Sequence, residues 1–305
     1  RLDISRVLLK PVKHSDLLAA IADALGVSGS QPAEDDAVQA AILSARRVLL
    51  VEDNPVNQKV ATELLGKRGH SVKVVRNGQE AVDAIIHQEF DVVLMDVHMP
   101  VMDGLTATRI IRDQEHASGS HIPIVALTAG ATVEDRENCL TAGMNDFLSK
   151  PFRASELFAA VENVAAHALA LEPSAAAQAP APTAGDEPCL DWSGALRNLE
   201  GDEEFLCELS EMFLLQYPGL LSAVEEAVSA GEADELRRAA HSLKGSSQVI
   251  GGRATAAAAL QLEQLGRSGD LVEAPSILRA LQTRLVELKA ELATTLEEMK
   301  SSRPA

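Results

Sequence analysis

The sequence predicts two domains of different class, an α/β domain with a doubly wound parallel sheet followed by an all-α bundle. Three observations carry that expectation. Between residues 46 and 166, short apolar runs alternate with longer stretches of helical spacing. From residue 189 to 299 the β-branched runs stop, and Leu, Phe and Met recur at helical spacing. Residues 167–188 between them are rich in Ala and Pro, a semi-extended linker composition.

In chain order, the strand candidates of the first domain are Val48–Val51, Ser71–Val75, Val92–Met95, Ile122–Leu127 and Phe147–Leu148. Val-rich runs with little alternation suit strands buried on both faces. Val60, Leu64 and Leu65, then Ala81, Ile85 and Ile86, mark helices between them. Strand–helix alternation builds right-handed βαβ units, and the flavodoxin-like order 2-1-3-4-5 makes strands 1 and 3 neighbours. In the second domain the apolar positions are Phe205, Leu209, Met212, Phe213 and Leu215, then Leu278, Leu281, Leu285 and Leu288. Gly231, Gly251-Gly252 and Gly269 are placed as helix stops, so antiparallel helices around one core are expected.

Leu9-Lys10-Pro11 with Ser15-Asp16-Leu17 repeats Ser149-Lys150-Pro151 with Ser155-Glu156-Leu157 at an offset of 140. Residues 1–27 therefore read as the last strand and helix of an earlier domain of the same kind, and 28–45 as a linker. Arg1 in place of Met fits a piece of a longer parent.

Composition narrows the function classes. The net charge is −18 and only eight aromatics occur, so neither clustered cations nor a stacking surface offers nucleic acid a direct contact. Cys139, Cys189 and Cys207 lack CxxC spacing and read as free thiols of a reducing compartment. No apolar run approaches the ~18 residues of a membrane span. A cytoplasmic segment without membrane contact is expected.

The chemistry lies at the strand ends. Strand 1 closes in Glu52-Asp53, strand 3 in Asp96, strand 4 in Thr128 and strand 5 in Lys150. Strands 1 and 3 as neighbours would bring three carboxylates together, which is costly unless a cation joins them. Hard oxygen donors with room for water suit Mg2+ or Mn2+. Lys150 offers a point charge for a phosphoryl oxygen, and Thr128 a hydroxyl. Gly104, after Met102-Asp103, reads as a turn opening a helix.

The runs Val51-Glu52-Asp53-Asn54, Met95-Asp96-Val97-His98-Met99-Pro100, Ala126-Leu127-Thr128-Ala129 and Phe147-Leu148-Ser149-Lys150-Pro151 resemble the receiver domain of two-component signalling. The resemblance implies that Asp96 is the phosphoacceptor, that Glu52, Asp53, Asp96 and the His98 backbone carbonyl hold the metal, and that Thr128 and Phe147 form the switch pair.

In the second domain, Arg237 to Gly252 contains His241-Ser242-Leu243-Lys244-Gly245-Ser246. On a helix, Lys244 and Gly245 fall at i+3 and i+4 from His241, a cation and a cleared space on one face. Gly in a helix costs about 1 kcal/mol against Ala. An exposed imidazole beside a cation is expected there. The segment is similar to the histidine-containing phosphotransfer (HPt) domain, an antiparallel four-helix bundle, which implies that His241 accepts a phosphoryl group.

Together the resemblances imply a phosphorelay, from the histidine of a kinase core to Asp96, then His241, then the aspartate of a separate response regulator. A tether of some 20 residues gives a ~mM effective concentration for the internal step. The order of parts resembles the C-terminal end of a hybrid sensor histidine kinase, a parent usually anchored in the inner membrane. No Gly-rich ATP lid or GxxxxGK[ST] is present, so the chain by itself is not expected to use ATP. The alternatives are a free-standing relay intermediate, or a scaffold or phosphohydrolase that does not relay.

Overall fold

The computed structural model describes residues 45–119, 121–128, 133–162 and 189–301. The repeat at 1–27 and the linkers at 28–44 and 167–188 lie outside the described residues. The first part alternates β1 (Arg47–Val51), α1 (Pro55–Lys67), β2 (Ser71–Val75), α2 (Gly78–His87), β3 (Val92–Asp96), α3 (Gly104–Ser118), β4 (Ile124–Thr128), α4 (Val133–Ala142), β5 (Asp146–Ser149) and α5 (Ala154–Glu162). All pairings are parallel, in the order β2-β1-β3-β4-β5. The expected five-stranded sheet is therefore present with the expected order.

Burial on both faces holds for β1, β3 and β4, whose residues are buried apart from Arg47. The two edge strands differ from that expectation. Ser71, Lys73 and Val74 of β2 face solvent, and β5 is only partly covered. An edge strand lacks a neighbour on one side, so its flanking helices do not close over it. The fourth strand starts at Ile124 rather than Ile122, because Pro123 has no N–H for the ladder.

Side chains alternate between two apolar layers. Val48, Leu50, Leu94 and Leu127 pack with Val60 and Leu64 of α1 and Leu157 and Phe158 of α5. Leu49, Val51, Met95 and Ala126 pack on the opposite face with Ala81, Ala107 and Ile111. Truncating a buried leucine such as Leu50 to Ala costs about 2–5 kcal/mol. Three helix starts are fixed by side-chain caps: Asn54 accepts from the Val56 N–H at 2.9 Å, Asn77 from Glu80 at 2.9 Å, and Asp103 from Thr106 at 2.7 Å.

The second part is helical: α6 (Trp192–Asn198), α7 (Glu203–Ala230), α8 (Ala233–Val249), α9 (Arg253–Ser268) and α10 (Ala274–Ser301). Helix α7 packs on α8, α8 on α9, α9 on α10, and α10 closes on α7, giving the four-helix bundle. Leu209, Phe213, Leu243, Leu262, Leu285 and Leu288 fill it. Gly231 and Gly269 stop α7 and α9 in the left-handed region, at φ 70° and 75°, as their placement in the sequence implied. Among the described residues no helix is long and apolar enough to cross a membrane.

Candidate functional site

The carboxyl ends of β1, β3 and β5 meet. Carboxylate oxygens of Glu52, Asp53 and Asp96 lie within 4.8 Å of one another. The Lys150 ammonium reaches into the group, donating to Glu52 Oε2 at 2.5 Å and Asp96 Oδ2 at 2.7 Å. Glu52, Asp96 and Lys150 are buried, and Asp53 is half-buried. Asn57 Nδ2 donates to Glu52 Oε1 at 2.9 Å, and the His98 N–H to Asp96 Oδ1 at 3.2 Å.

The electrostatics differ from one carboxylate to the next. Burial raises Glu52 to about 7, against the partial offset of Lys150 and with a further push from Asp96. Burial and then the Asp96 charge raise Asp53 to about 6. Asp96 falls below the usual carboxylate range. Burial opposes this, but the Lys150 ammonium, the His241 charge and the bonds from Lys150 and the His98 N–H outweigh it. Asp96 is thus the carboxylate held ionised, while its two neighbours lack enough positive charge.

Thr128 closes β4 with its hydroxyl buried and without a hydrogen-bond partner among the described residues. Phe147 is half-buried on β5, opposite Ala126 in register, with the Arg136 guanidinium 5.0 Å from its ring centroid. Gly104 opens α3, but close approach explains it better than turn geometry: a Cβ there would lie 2.1 Å from the Asp96 carbonyl oxygen.

The bundle brings its histidine to the same place. His241, in the middle of α8, is 7% exposed, where the sequence led us to expect an open imidazole. The α/β part covers it: the His98 ring meets the His241 ring edge-on, with centroids 5.3 Å apart. Burial, then the His241 charge, hold His98 down to about 4. Lys244 also departs from expectation. It is buried and paired with Glu263 Oε2, whose Oε1 lies 2.8 Å from His241 Nδ1. A carboxylate can only accept, so Nδ1 carries a proton, and Nε2 is the nitrogen left to react when the ring is neutral. Burial opposes ionisation of Glu263, but the His241 bond and charge and the Lys244 ammonium bring it down to about 2.

At Gly245 a Cβ would lie 3.3 Å from Asn57 Nδ2 of α1. Asn54, the cap of α1, also donates to the Ser242 carbonyl at 2.9 Å and Ser246 Oγ at 2.7 Å. His98, Thr128, Arg237, Lys244 and Glu263 line one cleft at this junction.

Sequence reasoning missed Glu263, Asn54, Asn57, Ser246 and the His98 side chain. A signal for Glu263 existed, since it continues the Ala256-Ala259 stripe of α9 toward Gly266 and is buried like them. A lone carboxylate on an apolar stripe needs a partner. The other four are ordinary polar residues until the two parts meet.

Comparison with known proteins matches the two parts separately. Residues 48–162 match the family model of the response regulator receiver domain, and residues 208–299 that of the Hpt domain. The chain is 31% identical over 293 residues to Sensor histidine kinase GacS of Pseudomonas protegens, covering 95% of this chain and 31% of that protein. It is 50% identical over 107 residues to Hybrid signal transduction histidine kinase M of Dictyostelium discoideum, covering 34% of this chain and 4% of that protein. The chain thus spans less than a third of either relative. The solved receiver domain of sensor histidine kinase PA1611 from Pseudomonas aeruginosa, with a magnesium ion in its active site cleft, is 47% identical, with 39% of this chain and 99% of that one covered and a TM-score of 0.36. Over the two matched stretches the chain is thus similar to response regulator receiver and Hpt domains, the modules of phosphorelay signal transduction.

Proposed function

We propose that Asp96 accepts a phosphoryl group from the histidine of a kinase core and passes it to His241, which delivers it to the aspartate of a separate response regulator. The observation that supports this best is the meeting of the two candidate acceptors in one buried site, with His98 against His241 and Lys150 on Asp96.

The Asp96 carboxylate is ionised and needs no general base to attack phosphorus. In the internal step, the Nε2 lone pair of His241 forms the P–N bond as the P–O bond to Asp96 breaks, and the electron pair returns to the carboxylate. The proton on Nδ1 stays there, and Glu263 stabilises the cationic imidazole that results. Lys150 offsets charge on the transferring oxygens. The Thr128 hydroxyl, without a hydrogen-bond partner among the described residues, would donate to the same group.

The three carboxylates fit a divalent cation, because two of them are held well above their ordinary range by burial and mutual repulsion. Glu52, Asp53 and Asp96, with the His98 carbonyl, would hold Mg2+, which offsets phosphoryl charge when bound. Because Glu52 and Asp53 titrate near 7 and 6, Mg2+ competes with protons. Affinity is expected to fall at least roughly tenfold from pH 8 to pH 5.5, with proton uptake on release, by calorimetry in buffers of different ionisation enthalpy. A flat affinity over that range would remove the carboxylate pair from the metal site.

On this reading the receiver spans 46–166 and the phosphotransfer bundle 189–299, in the cytoplasmic part of a hybrid kinase. The switch pair, Thr128 and Phe147, would respond to the state of Asp96.

The relay is tested by the chemistry of the label. With acetyl phosphate and Mg2+, the unaltered chain is expected to carry an acid-labile, base-stable phosphoryl group on His241. A His241→Gln chain should keep all of it as base-labile acyl phosphate on Asp96. Label confined to Asp96 in both chains would overturn the internal step.

A further inference from the structure

The two parts meet along α1 and α7 through charge as well as shape. Helix α1 carries two cations, Lys59 and Lys67, and one acid, Glu63, in a chain whose net charge is −18. Both cations reach the bundle. Lys59 Nζ lies 3.0 Å from Glu208 Oε1, and Lys67 pairs with Asp202, its ammonium 5.3 Å from the Phe205 ring centroid. The acids are held in place. Glu208 is on the second turn of α7, and Asp202 caps that helix by accepting from the Phe205 N–H at 2.9 Å. Four residues thus form two matched pairs of opposite charge beside the buried junction of Asn54, Ser246 and Gly245.

These pairs are partly exposed, with side chains 32–52% accessible. Such pairs add little affinity, about 0–1 kcal/mol each. Their effect is on discrimination, because a receiver with an acid at either place would set like charges opposite each other next to a desolvated contact. The bundle must also serve two receivers in turn through one histidine. His241 is buried under the first, so the second must take the same seat and meet the same acids.

We propose that Asp202 and Glu208 are the feature by which the bundle selects receivers. They admit a receiver whose first helix is basic at the places of Lys59 and Lys67: this chain's own, and a separate acceptor of the same chemistry that displaces it. The inference rests on the relay reading above.

The test uses full chains in trans. A His241→Gln chain, loaded on Asp96 with acetyl phosphate, donates to an Asp96→Asn chain whose bundle accepts. Lys59→Glu with Lys67→Glu in the donor is expected to leave loading of Asp96 unchanged and to slow transfer roughly tenfold or more. Asp202→Lys with Glu208→Lys in the acceptor should slow the native donor similarly, and the two reversed chains together should recover most of the rate. Because Asp202 also caps α7, the single pair Lys59→Glu and Glu208→Lys repeats the test without touching the cap. Transfer that ignores either reversal, or a doubly reversed pair as slow as the single ones, overturns the proposal. Absence of transfer in the unreversed pair, with Asp96 loaded, would instead defeat the relay reading.

Discussion

An Asp96→Asn chain is expected to fold as the unaltered chain does and to gain no phosphoryl mass in acetyl phosphate and Mg2+. The amide is isosteric with the carboxylate, but its single oxygen can accept only one of the two bonds Asp96 accepts, from Lys150 on Oδ2 at 2.7 Å or from the His98 N–H on Oδ1 at 3.2 Å. It offers no anionic oxygen to attack phosphorus, so loss of the adduct should be complete. Stability should change little. The variant gives up an attraction to Lys150 but also relieves the like charges of Glu52 and Asp53, both of which Asp96 raises. Intact mass and a denaturant midpoint, measured on the same preparation, separate chemistry from folding. An unchanged adduct in a folded Asp96→Asn chain would move the acceptor elsewhere.

The second large effect is expected at Glu263. Replacing it by Ala leaves the Lys244 ammonium buried without its partner and removes the acceptor of His241 Nδ1. Breaking a buried ion pair from one side costs about 3–5 kcal/mol. Glu263→Gln keeps the shape and an acceptor for Nδ1 but removes the charge, so it should slow transfer to His241 with a smaller loss of stability. The acid limb adds an independent readout. The folded-state value of about 2 lies below the ordinary 4.5, so this contribution is complete above pH 4.5 and fades as pH falls toward 2. It is worth about 3 kcal/mol. A Glu263→Gln chain should show a flatter stability curve across that window, by urea unfolding at several pH values. Equal slopes in the two chains would mean that Glu263 is not held by His241 and Lys244.

Much of this was legible in the residues. Strand 3 ends at Asp96 and strand 1 at Glu52-Asp53, and a parallel sheet of order 2-1-3-4-5 has to bring those ends together. Period-two burial and period-3.6 stripes are local properties, so they survive in the sequence. The edge strands were less legible, since whether Lys73 and Val74 face solvent depends on which strands have two neighbours.

The sequence by itself determined the two fold classes, the helix stops at Gly231 and Gly269, the carboxylate cluster with Lys150, and His241 with its Lys244-Gly245 neighbours. The tertiary structure alone decided that His241 is buried rather than open, that Lys244 turns to Glu263, and that Asn54, Asn57, Lys59 and Lys67 of α1 meet the bundle. The physical reason is range. Propensity, capping and strand order act within a few residues or through general rules of sheet topology. A hydrogen bond from Asn54 to Ser246, 192 positions away, depends on how two finished surfaces fit, and neither partner carries a sign of the other in its own neighbourhood.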